Sequence, residues 1–182
     1  MANDFELCPK CGSKKIEYKD NRKWFCPDCG FDLYNNVAAA VGIIICDKNN
    51  NILLEVRAKD PKKGKLALPG GFIDPEESAE DAVIRECKEE IGVEIHGAKF
   101  LCSYPNTYEY KGITYKTCDI FFTLELPSEY SDMQDFIKSL KKQESEVLDF
   151  VSYKIKSQQD IDNCPLAFDS ARNTLKKFIM EN

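Results

Sequence analysis

The sequence predicts an α/β (α+β) sandwich built on a mixed sheet and preceded by a small four-cysteine ribbon. Three observations predict it. Apolar, strand-like runs recur along the chain at Val37–Cys46, Thr114–Leu126 and Val147–Ile155. Segments with helical spacing alternate with them, at Ser78–Ile91, Met133–Lys141 and Asp169–Met180. Ahead of all of these, Cys8-Pro9-Lys10-Cys11 and Cys26-Pro27-Asp28-Cys29 form two C-x-x-C pairs separated by 14 residues. Strands mixed with a few helices bury their apolar faces by stacking in layers. The 182 residues suit one main domain with a small satellite, divided as 1–34 for the ribbon and 35–182 for the larger domain.

The ribbon comes first. Each C-x-x-C turn presents two sulfurs on one side, and two such turns close a tetrahedral four-thiolate cage for Zn²⁺ from Cys8, Cys11, Cys26 and Cys29. Gly12 and Gly30 follow the second cysteine of each pair, where the turn favours positive φ. A segment of this size buries too little apolar surface to fold unaided, so the metal is structural. The alternative is direct contact with nucleic acid through Trp24 and Phe25. Against it, six basic and six acidic residues between Met1 and Tyr34 cancel. Met1–Glu6 has neither a basic nor an apolar leader region, so no export signal is expected and the location is read as cytoplasmic. The other cysteines (Cys46, Cys87, Cys102, Cys118 and Cys164) are then free thiols.

The remaining elements follow in order. Val37–Cys46 and Ile52–Ala58 read as strands joined by the polar turn Asp47–Asn51. Lys59–Lys65 is a basic loop, and Leu66–Leu68 a short strand ending at Pro69-Gly70-Gly71. Asp74-Pro75 opens a loop before the helix Ser78–Ile91, which Gly92 stops. Lys99–Ser103 and Thr114–Leu126 read as strands flanking a loop from Pro105 to Gly112. Met133–Lys141 reads as a short amphipathic helix, Val147–Ile155 as a strand and Asp169–Met180 as a terminal helix. The longest apolar run has 10 residues and is too short to span a bilayer, so no membrane partner is expected.

Charge narrows the chemistry. Lys plus Arg is 25 and Asp plus Glu is 31, a net charge of −6, which argues against a general nucleic-acid coat. A Ser-His-Asp triad or a multi-histidine metal site would have only His96 to build on. Carboxylates are abundant instead. On the helix Ser78–Ile91, with Glu86 at 0°, Arg85 falls at about −100°, Glu89 at about −60° and Glu90 at about +40°. The apolar stripe of Ala79, Val83, Ile84, Cys87 and Ile91 abuts this arc, so Glu86 and Glu90 should be partly buried. Three neighbouring carboxylates repel unless a cation sits among them, and hard divalent ions take oxygen ligands. A solvated acidic face is the other reading of such a run.

The spacing G-x₅-E-x₇-R-E-x-x-E-E-x-G is satisfied by Gly71, Glu77, Arg85, Glu86, Glu89, Glu90 and Gly92. This is the Nudix box, and the chain resembles a Nudix hydrolase, with Cys87 and Val93 at its two apolar positions. The resemblance implies a Nudix α/β/α sandwich that hydrolyses a nucleoside diphosphate linked to another moiety. It implies Mg²⁺ (or Mn²⁺) held by Glu86 and Glu90, with Glu89 as a further ligand or water activator and the Gly70 carbonyl as another ligand. Arg85 and Glu77 become an ion pair orienting loop and helix. A further Glu from a later loop is implied, with Glu144 and Glu146 both candidates.

A four-cysteine ribbon directly before the domain also resembles the NADH pyrophosphatase branch. That branch carries S-Q-P-W-P-F-P-x-S after the box. Here Ser103 and Pro105 match, Tyr104 and Asn106 replace Gln and Trp, and the remaining Pro-Phe-Pro is absent. Tyr104, Tyr108, Tyr110 or Tyr115 could stack on a base or simply pack a strand, and Arg57, Lys63 and Lys65 could meet phosphates. The implied substrate is a dinucleotide or an ADP-linked compound, NADH, NAD or ADP-ribose, releasing AMP. Alternatives are a nucleotide sugar, a nucleoside triphosphate, or an idle fold used as a ligand sensor or nucleic-acid-binding regulator. A nucleotide-capped RNA end is the one nucleic-acid partner entertained, and the family resemblance implies a homodimer.

Overall fold

The structure, a computed structural model, describes residues 5–181. The leader reading of Met1–Glu6 therefore rests partly on residues 1–4, which lie outside the described residues. No helix among the described residues is long and apolar enough to cross a membrane.

Two compact units are present. One comprises the chain up to Val37 together with Thr107–Lys116, and the other Ala38–Asn106 with Thr117 onwards. In the first unit, β1 (Glu17–Lys19), β2 (Lys23–Phe25) and β3 (Asp32–Tyr34) form an antiparallel sheet in that order. Its small core is Trp24, 5% exposed, with the rings of Phe5 and Tyr18 each at 5.0 Å.

The second unit is the predicted sandwich with a mixed sheet. Its strands are β4 (Ala38–Cys46), β5 (Asn51–Arg57), β6 (Leu66–Ala67), β7 (Lys99–Tyr110), β8 (Ile113–Glu125) and β9 (Val147–Lys154), with the distal parts of β7 and β8 grouped with the ribbon. The sheet order is β6-β5-β4-β8-β7, and β9 pairs with β5. β4 runs parallel to β8 over nine residue pairs, from Ala38↔Thr117 to Cys46↔Glu125. β5 and β9 are antiparallel, with a bulge between Val56 and Arg57.

Side chains alternate across the sheet, and both faces are covered. Ile44, Ile52, Leu54 and Phe121 face a core shared with α3 (Gln158–Asn163) and α4 (Asp169–Glu181). Val41, Ile43, Ile45, Leu53 and Phe122 face a second core, shared with α1 (Ala79–Glu90) and α2 (Met133–Ser139). This double coverage is why β4 reads as a continuous apolar run rather than an alternating one. Ser78 caps α1 by accepting from the Asp81 N–H at 3.1 Å, a contact of about 1 kcal/mol.

Several elements differ from the sequence reading. The loop read from Pro105 to Gly112 is strand as far as Tyr110, closed by Lys111 and Gly112 at φ 49° and 80°. Two successive positive φ values suit a tight hairpin turn. β7 is an edge strand, where Pro105 costs little, and its tyrosines and threonine favour extended backbone. α3 is absent from the sequence reading; it is short and set by a capping box between Ser157 and Asp160. A buried polar cluster also lies beyond what the sequence predicts. Asp119 accepts from Thr117 Oγ1 at 2.6 Å, Asn106 Nδ2 at 2.9 Å and Ser170 Oγ at 2.6 Å, tying β7, β8 and α4 together.

Candidate functional site

The site in the second unit is built from a loop laid along β4. Ile43 N–H donates to the Pro69 carbonyl (3.0 Å), Val41 N–H to that of Gly71 (2.8 Å), and Ile73 N–H to that of Ala39 (3.0 Å). Between these anchors Gly70 takes φ +143°, and a Cβ there would overlap the Val41 carbonyl. Gly70 N–H donates to Glu90 Oε2 at 2.8 Å, which brings the loop backbone against the last turn of α1.

Glu86 and Glu90 lie one turn apart on α1 and are 9% and 6% exposed, deeper than the partial burial read from the helix arc. Glu89 is on the outer side, with half of its side chain exposed. Arg85 holds Glu77 by two contacts, Nε–Oε1 at 2.8 Å and Nη2–Oε2 at 2.9 Å. The same guanidinium donates to Glu86 Oε1 (2.8 Å) and to the Phe72 carbonyl (2.9 Å). Loop, helix and carboxylate are thereby fixed by one planar group, which a lysine could not replace.

Electrostatics follow from this packing. Burial, with neighbouring acids adding to it, pushes Glu86 and Glu90 above the usual carboxylate range. The Arg85 hydrogen bonds hold Glu77 down at about 2, against an ordinary 4.5. Because the folded value is the lower one, the ion pair's stabilisation is fully present above pH 4.5 and is lost as pH falls toward 2. Glu77→Gln is therefore expected to lose less melting temperature than the parent over that acid window. Parallel curves for the two proteins would contradict the pairing.

Gly71 contributes by absence. A Cβ there would lie 2.5 Å from Glu86 Oε1, a flexible side-chain end, whereas at Gly70 the obstacle is backbone. If Glu86 holds a divalent ion, Gly71→Ala is expected to fold yet bind Mn²⁺ about 10- to 100-fold more weakly, because it displaces that carboxylate. Gly70→Ala is expected to lose stability itself, by at least about 1–3 kcal/mol. Thermal melts with and without Mn²⁺ separate the two.

The loop acids differ. Ala58 N–H donates to the Glu146 carbonyl at 2.7 Å, and the Glu146 carboxylate, paired with Lys59, acts electrostatically on both Glu86 and Glu90. Glu144 is exposed and is not among the main influences on either. Arg57 Nε donates to the Pro61 carbonyl (2.9 Å) and its guanidinium lies 5.1 Å from the Phe168 ring centre, while Nη2 is buried without a hydrogen-bond partner. Lys63 and Lys65 are exposed. Tyr104 packs on the core shared with α4. Tyr108 belongs to the first unit, its ring 6.4 Å from that of Tyr110. Asn106 is committed to Asp119.

One acid is absent from the sequence reading. Glu55 in β5 is buried, and its charge is felt with that of Glu90. The available signal was an acid inside the apolar run Ile52–Val56.

A divalent cation fits the donor set of this loop and helix. Glu55, Glu86, Glu90 and Glu146 act on one another electrostatically, and Arg85, which contacts Glu86, is already gripped by Glu77. In the first unit, the Sγ atoms of Cys8 and Cys29 are 3.7 Å apart and those of Cys11 and Cys26 3.8 Å. A tetrahedron with metal–sulfur bonds of about 2.3 Å has edges of about 3.8 Å. Among the described residues, these four are the one group with all ligand atoms within 4.8 Å of each other. The cluster could hold a metal ion; the Glu carboxylates do not meet that spacing.

Comparison with known proteins is consistent with this geometry. The sequence matches the NUDIX domain family over residues 37–156. The NAD-capped RNA hydrolase NudC of Stutzerimonas stutzeri (strain A1501) is 32% identical over 104 residues, 56% of this chain and 36% of that protein. The ADP-ribose pyrophosphatase of Methanocaldococcus jannaschii is 47% identical over 81 residues, 44% of each. The matched region thus spans under half the length of these curated relatives. The crystal structure of a NUDIX hydrolase from Nitrosomonas europaea shares the fold, with a TM-score of 0.67 and 22% identity over 98% of this chain and 92% of that one.

Proposed function

Because the chain belongs to the NUDIX domain family, we propose that it is a divalent-metal-dependent pyrophosphohydrolase. Its substrate is a nucleoside diphosphate linked to another moiety, and most specifically a dinucleotide or ADP-linked compound such as NADH, NAD or ADP-ribose, cleaved to AMP and a phosphorylated fragment. The observation that carries this reading is the pair of buried carboxylates, Glu86 and Glu90, beside the Gly70 backbone. The substrate class is supported by the relatives named as an ADP-ribose pyrophosphatase and an NAD-capped RNA hydrolase.

In this reading Glu86, Glu90 and the Gly70 carbonyl would hold Mg²⁺ or Mn²⁺, with Glu146 rather than Glu144 as the supporting loop acid. When bound, the divalent ion supplies positive charge against the diphosphate and acidity to the attacking water. Glu89, half exposed on the outer side of α1, would serve as a further ligand or as the activator of that water. Arg85 and Glu77 position Glu86. Arg57 offers its bare Nη2 to a phosphate oxygen, a charge-assisted contact that would satisfy a buried donor. Tyr104, partly buried, offers a face for the base. Residues 1–34 form a Zn²⁺ ribbon and 35–182 the hydrolase domain.

The test is product identification after incubation with NADH, NAD, ADP-ribose, nucleotide sugars and nucleoside triphosphates under Mg²⁺ or Mn²⁺. AMP from an ADP-linked substrate is the expected result. Absence of turnover across the panel would overturn the reading. An NAD-capped RNA end is a second substrate form of the same chemistry, favoured by the name of the NudC relative. It belongs in the same panel.

A further inference from the structure

Among the described residues, Glu55 is the one deeply buried acid whose presence packing does not explain. It lies in β5 between Leu54 and Val56 and is 2% exposed, and its Oε2 has no hydrogen-bond partner. A valine or isoleucine would serve packing better, and a buried carboxylate is costly without compensation. Strand alternation fixes where it goes. Ile52 and Leu54 face the core shared with α4, while Leu53 faces α1, so Glu55 takes the α1 face.

The charged groups acting on Glu55 are Glu90, Arg57 and Glu146. None of them compensates it through an ion pair among the described residues. Arg57 eases its charge only at a distance, its Nε going to the Pro61 carbonyl and its guanidinium lying against the Phe168 ring, while Lys59 pairs with Glu146. Glu90 commits Oε2 to the Gly70 N–H. A hydrogen bond shared between Glu55 and Glu90 would occupy one oxygen of each and still leave Glu55 Oε2 bare. A hard cation between the two side chains engages that oxygen and removes the repulsion as well.

We propose that Glu55 is an additional ligand of the divalent cation, forming with Glu86 and Glu90 the inner wall of the metal site. The inference rests on the reading of Glu86 and Glu90 as that site. It adds a ligand that comes from the sheet rather than from the helix or its preceding loop. The site then gains an inner carboxylate that does not move with α1, anchored by the pairing of β5 with β6 and β9. Such a ligand favours a cation seated deep against the strand.

Mn²⁺ binding to the full chain, followed by the electron paramagnetic resonance signal of free Mn²⁺, tests this. Glu55→Gln keeps the shape and can donate the hydrogen bond that a neutral acid would give Glu90. For this variant the affinity of at least one Mn²⁺ is expected to fall about 10- to 100-fold, with zinc content and circular dichroism unchanged. Unchanged Mn²⁺ affinity would overturn the proposal. Should that variant fail to fold, crystals of the parent protein soaked in Mn²⁺ decide instead. An anomalous peak within about 2.0–2.6 Å of a Glu55 oxygen is expected. A peak on Glu86 and Glu90 with Glu55 out of reach would overturn it. Glu90→Gln separates the two levels. Full Mn²⁺ binding there defeats the underlying site reading, whereas loss there with full binding in Glu55→Gln defeats only the role of Glu55.

Discussion

Glu90→Gln is expected to lower diphosphate hydrolysis by about 10³-fold, the equivalent of several kcal/mol of charge stabilisation in the transition state. The loss should appear in kcat rather than KM, because the substituted group acts on charge that develops during the reaction. Glu86→Gln is expected to behave likewise. The fold should survive both changes. A glutamine at 90 can still accept the Gly70 N–H through its side-chain oxygen, and removing one charge relieves repulsion with Glu55, Glu86 and Glu146. The metal-free variant should therefore melt no lower than the parent, and could melt higher, as substitutions at strained functional sites often do. Adding Mg²⁺ should raise the parent's melting temperature but not the variant's. Glu144→Gln, on an exposed loop position, is the control and should leave turnover near the parent value. If Glu90→Gln retains turnover, the assignment of chemistry to this helix is wrong.

Stripping the metal from the four-cysteine cluster, or making Cys26→Ser, is expected to unfold the ribbon. Three strands of three residues each and one core tryptophan cannot stand against backbone entropy of about 1–2 kcal/mol per residue. A structural zinc supplies about 10–16 kcal/mol of apparent binding energy. Cys8 and Cys26 are buried, so losing the ion leaves thiols packed against each other with nothing to hold them. Trp24 is the single tryptophan in the chain, so its fluorescence reports on the ribbon alone. Chelation should shift its emission to longer wavelength, and amide protection at Tyr18, Trp24 and Leu33 should collapse. Elemental analysis should find about one zinc per chain before chelation. Unchanged emission and protection after the metal is removed would show that the ribbon holds itself.

The features legible in the sequence share a local origin. The Glu cluster on α1 follows from residue spacing on one helix, and Ser78 and Gly92 bound that helix through local backbone preferences, the latter at φ +73°. The four cysteines follow from two short turns. The layered fold follows from the mixture of strand-like and helical runs. Other features were illegible for equally physical reasons. Pro105 argues for a loop, but at the sheet edge its missing N–H costs little, so β7 continues through it. α3 is six residues long and too short to show helical periodicity. Asp119, Asn106, Thr117 and Ser170 meet only because β7, β8 and α4 converge.

The sequence by itself determined the register of the box, the identity of the helical carboxylates and the presence of a four-cysteine cage. These depend on helix geometry and turn chemistry within about 30 residues. The tertiary structure alone decided which further acids lie near them. Glu146 approaches because β9 pairs with the end of β5, where Ala58 N–H meets its carbonyl, and Glu144, two residues earlier, remains in solvent. Glu55 faces Glu90 because strand alternation turns it toward α1 while its neighbours turn toward α4. Pairings between residues 30 to 90 positions apart leave no local pattern, since what selects them is the burial of both sheet faces at once.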